Sequence, residues 1–420
     1  MSSRPGLLGQ SESNILLSGM GPMLSPEEAL KALHYIPDLP RGIADVPRHE
    51  RLLHLLDVRD FHYPPPIERR LQQTMSMMLW QSYKYRDPRA ATTWASIGGE
   101  AQRQGILLPS AIAASVEGLP GVGKTQACLR GLRCFPQVIA HATFPKLTGE
   151  HLQVVWLSAE VPASGKGIDL ARVLMEAWGT ATGSKRFDEW RTKDRTRDGM
   201  RALDEWRQVA VSHFLGILHL DEIQNLFKLS SLRRRSGKGA EQAELSIVED
   251  QLLRWLLYLT NSGQVALLVS GTPDGIGALT KRLSTLQRIN TGGYHAIDPI
   301  RFDPDRALGT TFLGQLGQYQ YVKHPLPMDA NLAKLIIDLT GGIQRIIIAL
   351  WVAAHRVALE RKDDTLRLED FTKAAGTWLS PLAPAIAALR EGNPVKLSRY
   401  EDLVPRDTSF WASFWGGVSS

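Results

Sequence analysis

Residues 118 to 125 read Gly118-Leu119-Pro120-Gly121-Val122-Gly123-Lys124-Thr125, and no other stretch limits so sharply what the chain can fold into. The run follows an apolar, strand-like segment, Ala111 to Glu117, and leads into a helix beginning near Thr125. Glycines let the backbone turn tightly enough for its N–H groups to face phosphates, and the helix N-terminus adds the positive end of its dipole. Lysine and threonine complete a Walker A motif, with Lys124 holding the β- and γ-phosphates and the Thr125 hydroxyl coordinating Mg²⁺. The expected ATP-binding set is Gly118, Pro120, Gly121, Val122, Gly123, Lys124, Thr125 and Gln126.

Such a site needs an acidic pair at the end of a second buried strand, and Gly216-Ile217-Leu218-His219-Leu220-Asp221-Glu222 supplies it. Asp221 is expected to support Mg²⁺ with Thr125, and Glu222 to orient or deprotonate the attacking water. His219 alternates away from Leu218 and Leu220 and reads as a packed or hydrogen-bonded histidine rather than a catalytic one. A third strand, Val265 to Ser270, runs into Gly271-Thr272-Pro273, where a polar side chain can reach the γ-phosphate or the water. Thr272 is the first candidate and Ser270 the second.

Short apolar runs at Gln137 to Ala140, Gln153 to Leu157, Phe214 to Leu220 and Val265 to Ser270 alternate with helical stretches. That is the pattern of a parallel sheet covered by helices. Upstream, Ile67, Leu71, Met75, Met78, Leu79 and Tyr83 follow a helical period after Pro64-Pro65-Pro66, with Met75, Met77 and Met78 read as core filler. Residues 1 to 45 read as a loosely ordered arm with a short helix from Ser25. Beyond Pro327 the pattern is wholly helical, and the end carries Trp411, Phe414 and Trp415, a costly composition unless a surface covers it.

Cys128 and Cys134 are the two cysteines and suit neither a disulfide framework nor a zinc site; both read as buried small hydrophobes. No apolar run approaches the roughly 18 residues of a membrane span, and a cytoplasmic protein without a membrane partner is expected. The 49 basic against 43 acidic residues argue mildly for a polyanionic partner.

With these motifs in order, the chain resembles the TnsC/TniB family of AAA+ transposition regulators. Asp221-Glu222-Ile223-Gln224-Asn225-Leu226 is similar to the family's Walker B continuation and Val269-Ser270-Gly271-Thr272-Pro273 to its third-strand ending. Arg48, Arg51, Pro64 to Pro66 and Tyr83-Lys84-Tyr85-Arg86-Asp87-Pro88 are similar to its N-terminal region. The fold class this implies is α/β, an AAA+ P-loop NTPase with a parallel sheet flanked by helices, a C-terminal helical lid and an N-terminal extension. The expected divisions are a flexible arm (1–45), an N-terminal helical region (46–106), the P-loop core (107–326), the lid (327–390) and a tail (391–420).

The resemblance implies an ATPase that oligomerises as a ring or filament on double-stranded DNA and links a target-selector protein to the transposase. Hydrolysis would disassemble the oligomer. A replication or repair initiator- or loader-type AAA+ protein shares nearly every motif, and a signalling switch without DNA remains open. Arg345, in Gly341-Gly342-Ile343-Gln344-Arg345, stands where an AAA+ lid presents an arginine to its own nucleotide. Arg282 and Arg288 lie in the region that faces the next subunit, and Arg288 is the chosen finger. For DNA phosphates, Lys228 to Lys238 has a clear positive bias, with Arg233, Arg234, Arg235 and Lys238 as contacts. Lys146, Thr148 and Lys166 flank the second strand and are weaker candidates, while the mixed charges of Lys185 to Arg207 read as a salt-bridged helical face.

Overall fold

A computed structural model describes residues 14–99, 109–192, 198–229, 245–280 and 288–391. The chain divides into two compact units, each built from separate stretches of sequence.

The larger unit contains a five-stranded sheet of order β4-β5-β8-β1-β9, with β1 at Ala113–Gly118, β4 at Trp156–Glu160, β5 at Ile217–Asp221, β8 at Ala266–Gly271 and β9 at Gly293–Ile297. The pairs β4–β5, β5–β8 and β8–β1 are parallel. Every residue of β5 and β8 is buried, as expected of strands covered on both faces. One face carries Leu157, Leu218, Leu220, Leu267 and Val269, which share a core with Trp178, Trp206 and Trp255 of three covering helices. The other is covered by the helices Pro66–Lys84 and Lys124–Arg133. Those two helices approach closely at Gly131, where an added Cβ would lie 2.7 Å from the Met75 sulfur. Met75 and Met78 are buried there, but Met77 is exposed, because it falls on the outer face of its helix. Cys128 is buried as expected, whereas Cys134, just past the helix end, is half-buried.

Two expected strands behave differently. Gln137 to Ala140 does not join the parallel sheet; β2 (Val138–His141) pairs antiparallel with β3 (His151–Val154) as a separate hairpin, and β6 (Phe227–Leu229) pairs antiparallel with β7 (Leu245–Ile247) as another two-stranded ladder. Gln153 to Leu157 is not one strand but the end of β3 and the start of β4, parted at Val155. The Val155 N–H donates to Gln137 and its carbonyl accepts from Ile217, so the chain leaves one sheet and enters the other at this residue. In the stretch read as a loosely ordered arm, Ile15–Ser18 forms a short helix with Leu16 and Leu17 buried. It is tied down by Asn14 donating to the Tyr83 carbonyl (2.9 Å) and Gln153 to the Leu16 carbonyl (3.0 Å). The helix expected from Ser25 forms at Pro26–Leu33, where Ser25 and Glu28 cap each other reciprocally.

The smaller unit is mainly helical. Helix Ala330–Thr340 starts on the Asp329 cap, which accepts from the Leu332 N–H at 2.8 Å, and ends at Gly341 in the left-handed region. The next helix, Gln344–Leu359, is buried along almost its whole length. Among the described residues no single helix is long and apolar enough to cross a membrane. A buried ion pair ties distant chain segments together here: Arg51 Nη1 and Nη2 donate to the Asp364 carboxylate at 3.1 and 2.5 Å, and Nη1 also to the Tyr321 carbonyl at 2.9 Å.

Candidate nucleotide site

The parallel order sets the carboxyl end of β8 between those of β5 and β1, so the acidic pair and the third-strand ending emerge together. Asp221 is where their polar side chains converge. Its Oδ2 accepts from the Thr125 hydroxyl at 2.6 Å, and its Oδ1 accepts from the Ser270 hydroxyl at 2.5 Å and the Glu222 N–H at 2.9 Å. Thr125 and Asp221 therefore present two hard oxygen donors side by side. That suits Mg²⁺, which takes one or two protein oxygens and completes its shell with water and phosphates.

Glu222 follows in the left-handed region, φ 55°, an uncommon setting for a residue with a side chain and one that recurs at functional sites. Its carboxylate accepts from the Gln224 amide, and the Gln224 carbonyl oxygen accepts from the Thr272 N–H at 3.2 Å. Thr272 is the first candidate for the polar group beside the γ-phosphate, but its hydroxyl caps the helix Pro273–Thr280 by accepting from the Gly275 N–H. Ser270, the second candidate, is the one bonded to Asp221. Ser270 lies within the strand on the sheet face that carries His219 and Asp221, while Thr272 lies beyond the strand end at Gly271, where the backbone turns into the next helix.

His219 is fully buried and hydrogen-bonded on both ring nitrogens, Nδ1 to Ser158 Oγ and Nε2 to Ser270 Oγ, each at 2.8 Å. Burial lowers its pKa and outweighs the raising effect of Asp221, so the ring is held neutral. The packed, hydrogen-bonded reading of His219 describes its surroundings, and Ser158 is the partner that sequence gave no signal for. Cys128 lies behind the same site, its thiol pKa raised well above the ordinary value by burial and next by Asp221.

The tip of the P-loop, Leu119 to Gly123, groups with the helical unit. Gly121 and Gly123 both have positive φ, 85° and 104°. The Gly121 carbonyl accepts from the Arg345 N–H at 3.1 Å, and a Cβ on Gly121 would meet Ile343 Cγ2 at 2.9 Å. A Cβ on Gly123 would meet Gln344 Oε1 at 2.9 Å. The start of the helix Gln344–Leu359 thus lies against the loop backbone, with Arg345 exposed at that end.

Of the remaining expected residues, Lys124 is buried at the start of the helix Lys124–Arg133, and Thr125 and Gln126 are exposed in its first turn. Gly118 ends β1, while Pro120 and Val122 lie in the loop, Val122 buried. Arg288 is exposed. Lys146 and Thr148 are exposed on the loop joining β2 and β3, and Lys166 is exposed at the cap of the helix Gly167–Thr182. Arg233, Arg234, Arg235, Lys238 and Arg282 lie outside the described residues, as does the aromatic tail with Trp411, Phe414 and Trp415.

Residues 111–279 match the family model described as an AAA domain. The AAA domain has the AAA+ P-loop fold, a parallel sheet flanked by helices, with a helical region following it. No protein of curated function matches the chain. Solved structures similar to it include the Aeropyrum pernix ORC2 protein in its ADPNP–ADP complexes, at 14% identity and TM-score 0.41, covering 79% of this chain and 86% of that one. The ADP form of ORC2 matches at 15% identity and TM-score 0.43, covering 86% of this chain and 88% of that one. The Aeropyrum pernix ORC1 protein in complex with DNA matches at 15% identity and TM-score 0.40, covering 77% of this chain and 82% of that one. The assignment of the AAA domain rests on the matched family model and on the motifs at the carboxyl ends of β1, β5 and β8.

Proposed function

We propose that this AAA domain binds and hydrolyses Mg²⁺–ATP, and that the chain uses the nucleotide as an assembly switch on duplex DNA. The observation that carries the hydrolysis reading is the convergence of Thr125, Ser270 and the Glu222 amide on the Asp221 carboxylate. P-loop N–H groups and Lys124 would hold the phosphates, with Thr125 and Asp221 at the cation. Bound there, Mg²⁺ would neutralise charge on the β- and γ-phosphate oxygens. Glu222 would orient water in line with the γ-phosphorus and take its proton as the bond to the β–γ bridging oxygen breaks and ADP leaves. Arg345, at the lid helix start beside Gly121, would bind the chain's own nucleotide, and Arg288 would reach the γ-phosphate of a neighbour, making turnover depend on assembly.

The finer reading is a DNA-transposition regulator that links a target selector to a transposase. It is supported by the sequence resemblance around Asp221 to Leu226, Val269 to Pro273 and the N-terminal flank. Lys146 and Thr148, exposed together on the β2–β3 loop, support contact with DNA phosphates, with Arg233, Arg234, Arg235 and Lys238 as further contacts. Electron microscopy with a duplex of about 60 base pairs, long enough to wrap several subunits, tests the switch with a slowly hydrolysed ATP analogue against ADP. Rings or filaments on DNA only in the ATP-like state are expected. A monomer indifferent to DNA in every nucleotide state would remove the DNA reading and leave the ATPase.

A further inference from the structure

Behind the Asp221 carboxylate runs a line of hydrogen bonds whose direction can be worked out. Asp221 as a carboxylate only accepts, so at Oδ1 the proton comes from the Ser270 hydroxyl. With its hydrogen committed, the Ser270 oxygen must accept from His219 Nε2, which therefore carries the ring hydrogen. Nδ1 of the neutral ring is then bare and accepts from the Ser158 hydroxyl. The backbone provides this alignment: Ser158 is the direct register partner of His219 across β4 and β5, and Ser270 lies two residues beyond Leu268, its partner in β8. His219 and Ser270 are fully buried, so no water competes for the bond between them.

From this arrangement we infer that His219, held as its Nε2–H tautomer by Ser158, is a positioning residue that locks the Ser270 hydroxyl onto Asp221 and so orients the oxygen shared with Thr125. The inference rests on the Mg²⁺–ATP reading of the site. A ring nitrogen fixed by a partner on its far side is the way outer-shell groups orient a metal-binding carboxylate or imidazole, and their loss typically costs about 10- to 100-fold in metal affinity or activity. Without the His219 donor, the Ser270 hydroxyl is free to rotate and donate elsewhere, and Asp221 keeps only the Glu222 N–H on that oxygen.

The amide nitrogen of glutamine lies where Nε2 lies, and that of asparagine where Nδ1 lies. His219→Gln therefore keeps the donor to Ser270, while His219→Asn and His219→Leu lose it. In the full chain, His219→Asn and His219→Leu are expected to raise the Mg²⁺ concentration that half-saturates ATP hydrolysis by about tenfold and to lower kcat by about tenfold. His219→Gln should retain most of the wild-type values, and binding of a fluorescent ATP analogue without Mg²⁺ should be unchanged in all three. Long-range ¹H–¹⁵N correlation spectra of the wild-type chain should show His219 as the Nε2–H tautomer, and Ser158→Ala should erode that preference while leaving the ring in place. An Nδ1–H tautomer, or His219→Asn matching wild type in both Mg²⁺ dependence and kcat, would overturn the inference. If the wild type does not hydrolyse ATP, the ATPase reading fails, whereas the tautomer result stands or falls by itself.

Discussion

In the sheet unit three buried polar side chains, His219, Ser270 and Asp221, form a connected line that runs from half-buried Ser158 to exposed Thr125, drawn from three neighbouring strands and the helix after the P-loop. In the helical unit the buried ion pair of Arg51 with Asp364 leads, among the described residues, to no such line; its other partners are the exposed Arg48 guanidinium and backbone groups of Tyr321 and Lys323. Both arrangements satisfy polar groups that burial would otherwise penalise. The first directs them at the carboxyl ends of the strands, beside the helix that follows the P-loop, and the second uses them to hold together chain segments 313 residues apart. Burial and charge alone therefore do not separate a candidate ligand site from a clamp; what a buried network terminates on does.

That contrast can be broken by substitutions that should affect stability in one unit and chemistry in the other. The largest effect is expected from Asp364→Ala, which leaves the Arg51 guanidinium buried without its partner. Removing one member of a buried pair costs roughly 3–5 kcal/mol, to be read from denaturant unfolding, and the fraction that remains folded should hydrolyse ATP normally. A stable Asp364→Ala protein with lost turnover would reverse the assignment. Next, Asp221→Asn should lower kcat by about 100-fold, equivalent to about 2.7 kcal/mol of barrier, while the melting temperature hardly moves.

A smaller effect is expected from pH. His355, buried beside Trp351, has its pKa lowered from 6.5 to about 4, chiefly by burial. The folded value lies below the unfolded one, so its contribution is fully present above about pH 6.5 and is lost as pH falls toward 4. By pH 5 the wild type should have lost about 2 kcal/mol more than His355→Leu relative to pH 7. Parallel stability curves for the two proteins would show that His355 is not a buried neutral group. The smallest effect is Asp329→Ala, which removes a helix cap in the helical unit at a cost of about 1 kcal/mol, with turnover again unchanged.

The contiguous parts of the site were legible in the sequence because a P-loop and an acidic strand end need their residues side by side along the chain. Asp221 and Glu222 could be read from the run Ile217 to Glu222 alone. Which of Ser270 and Thr272 bonds Asp221 is fixed by where β8 ends, since Thr272, one step past that end, caps the following helix. The β2–β3 hairpin was hidden because Val154 and Trp156 lie in one apolar run, and only the hydrogen bonds of Val155 show that the chain changes sheets there. β9, with glycine and a half-exposed pattern, offered no periodic signal. Ser158 and the Arg51–Asp364 pair depend on contacts between distant segments, which spacing does not encode. Arg51 stands in the sequence only as part of a family-like flank; its partner Asp364 lies 313 residues away.

Whether the groups gathered on Asp221 form an ATP-hydrolysing centre is decided by phosphate release from the full chain with Mg²⁺–ATP and duplex DNA, wild type beside Asp221→Asn and Glu222→Gln. Steady turnover by the wild type is expected, with both variants folded, still binding nucleotide and slower by about 100-fold. No turnover by the wild type, or turnover that both substitutions leave unchanged, would contradict that assignment.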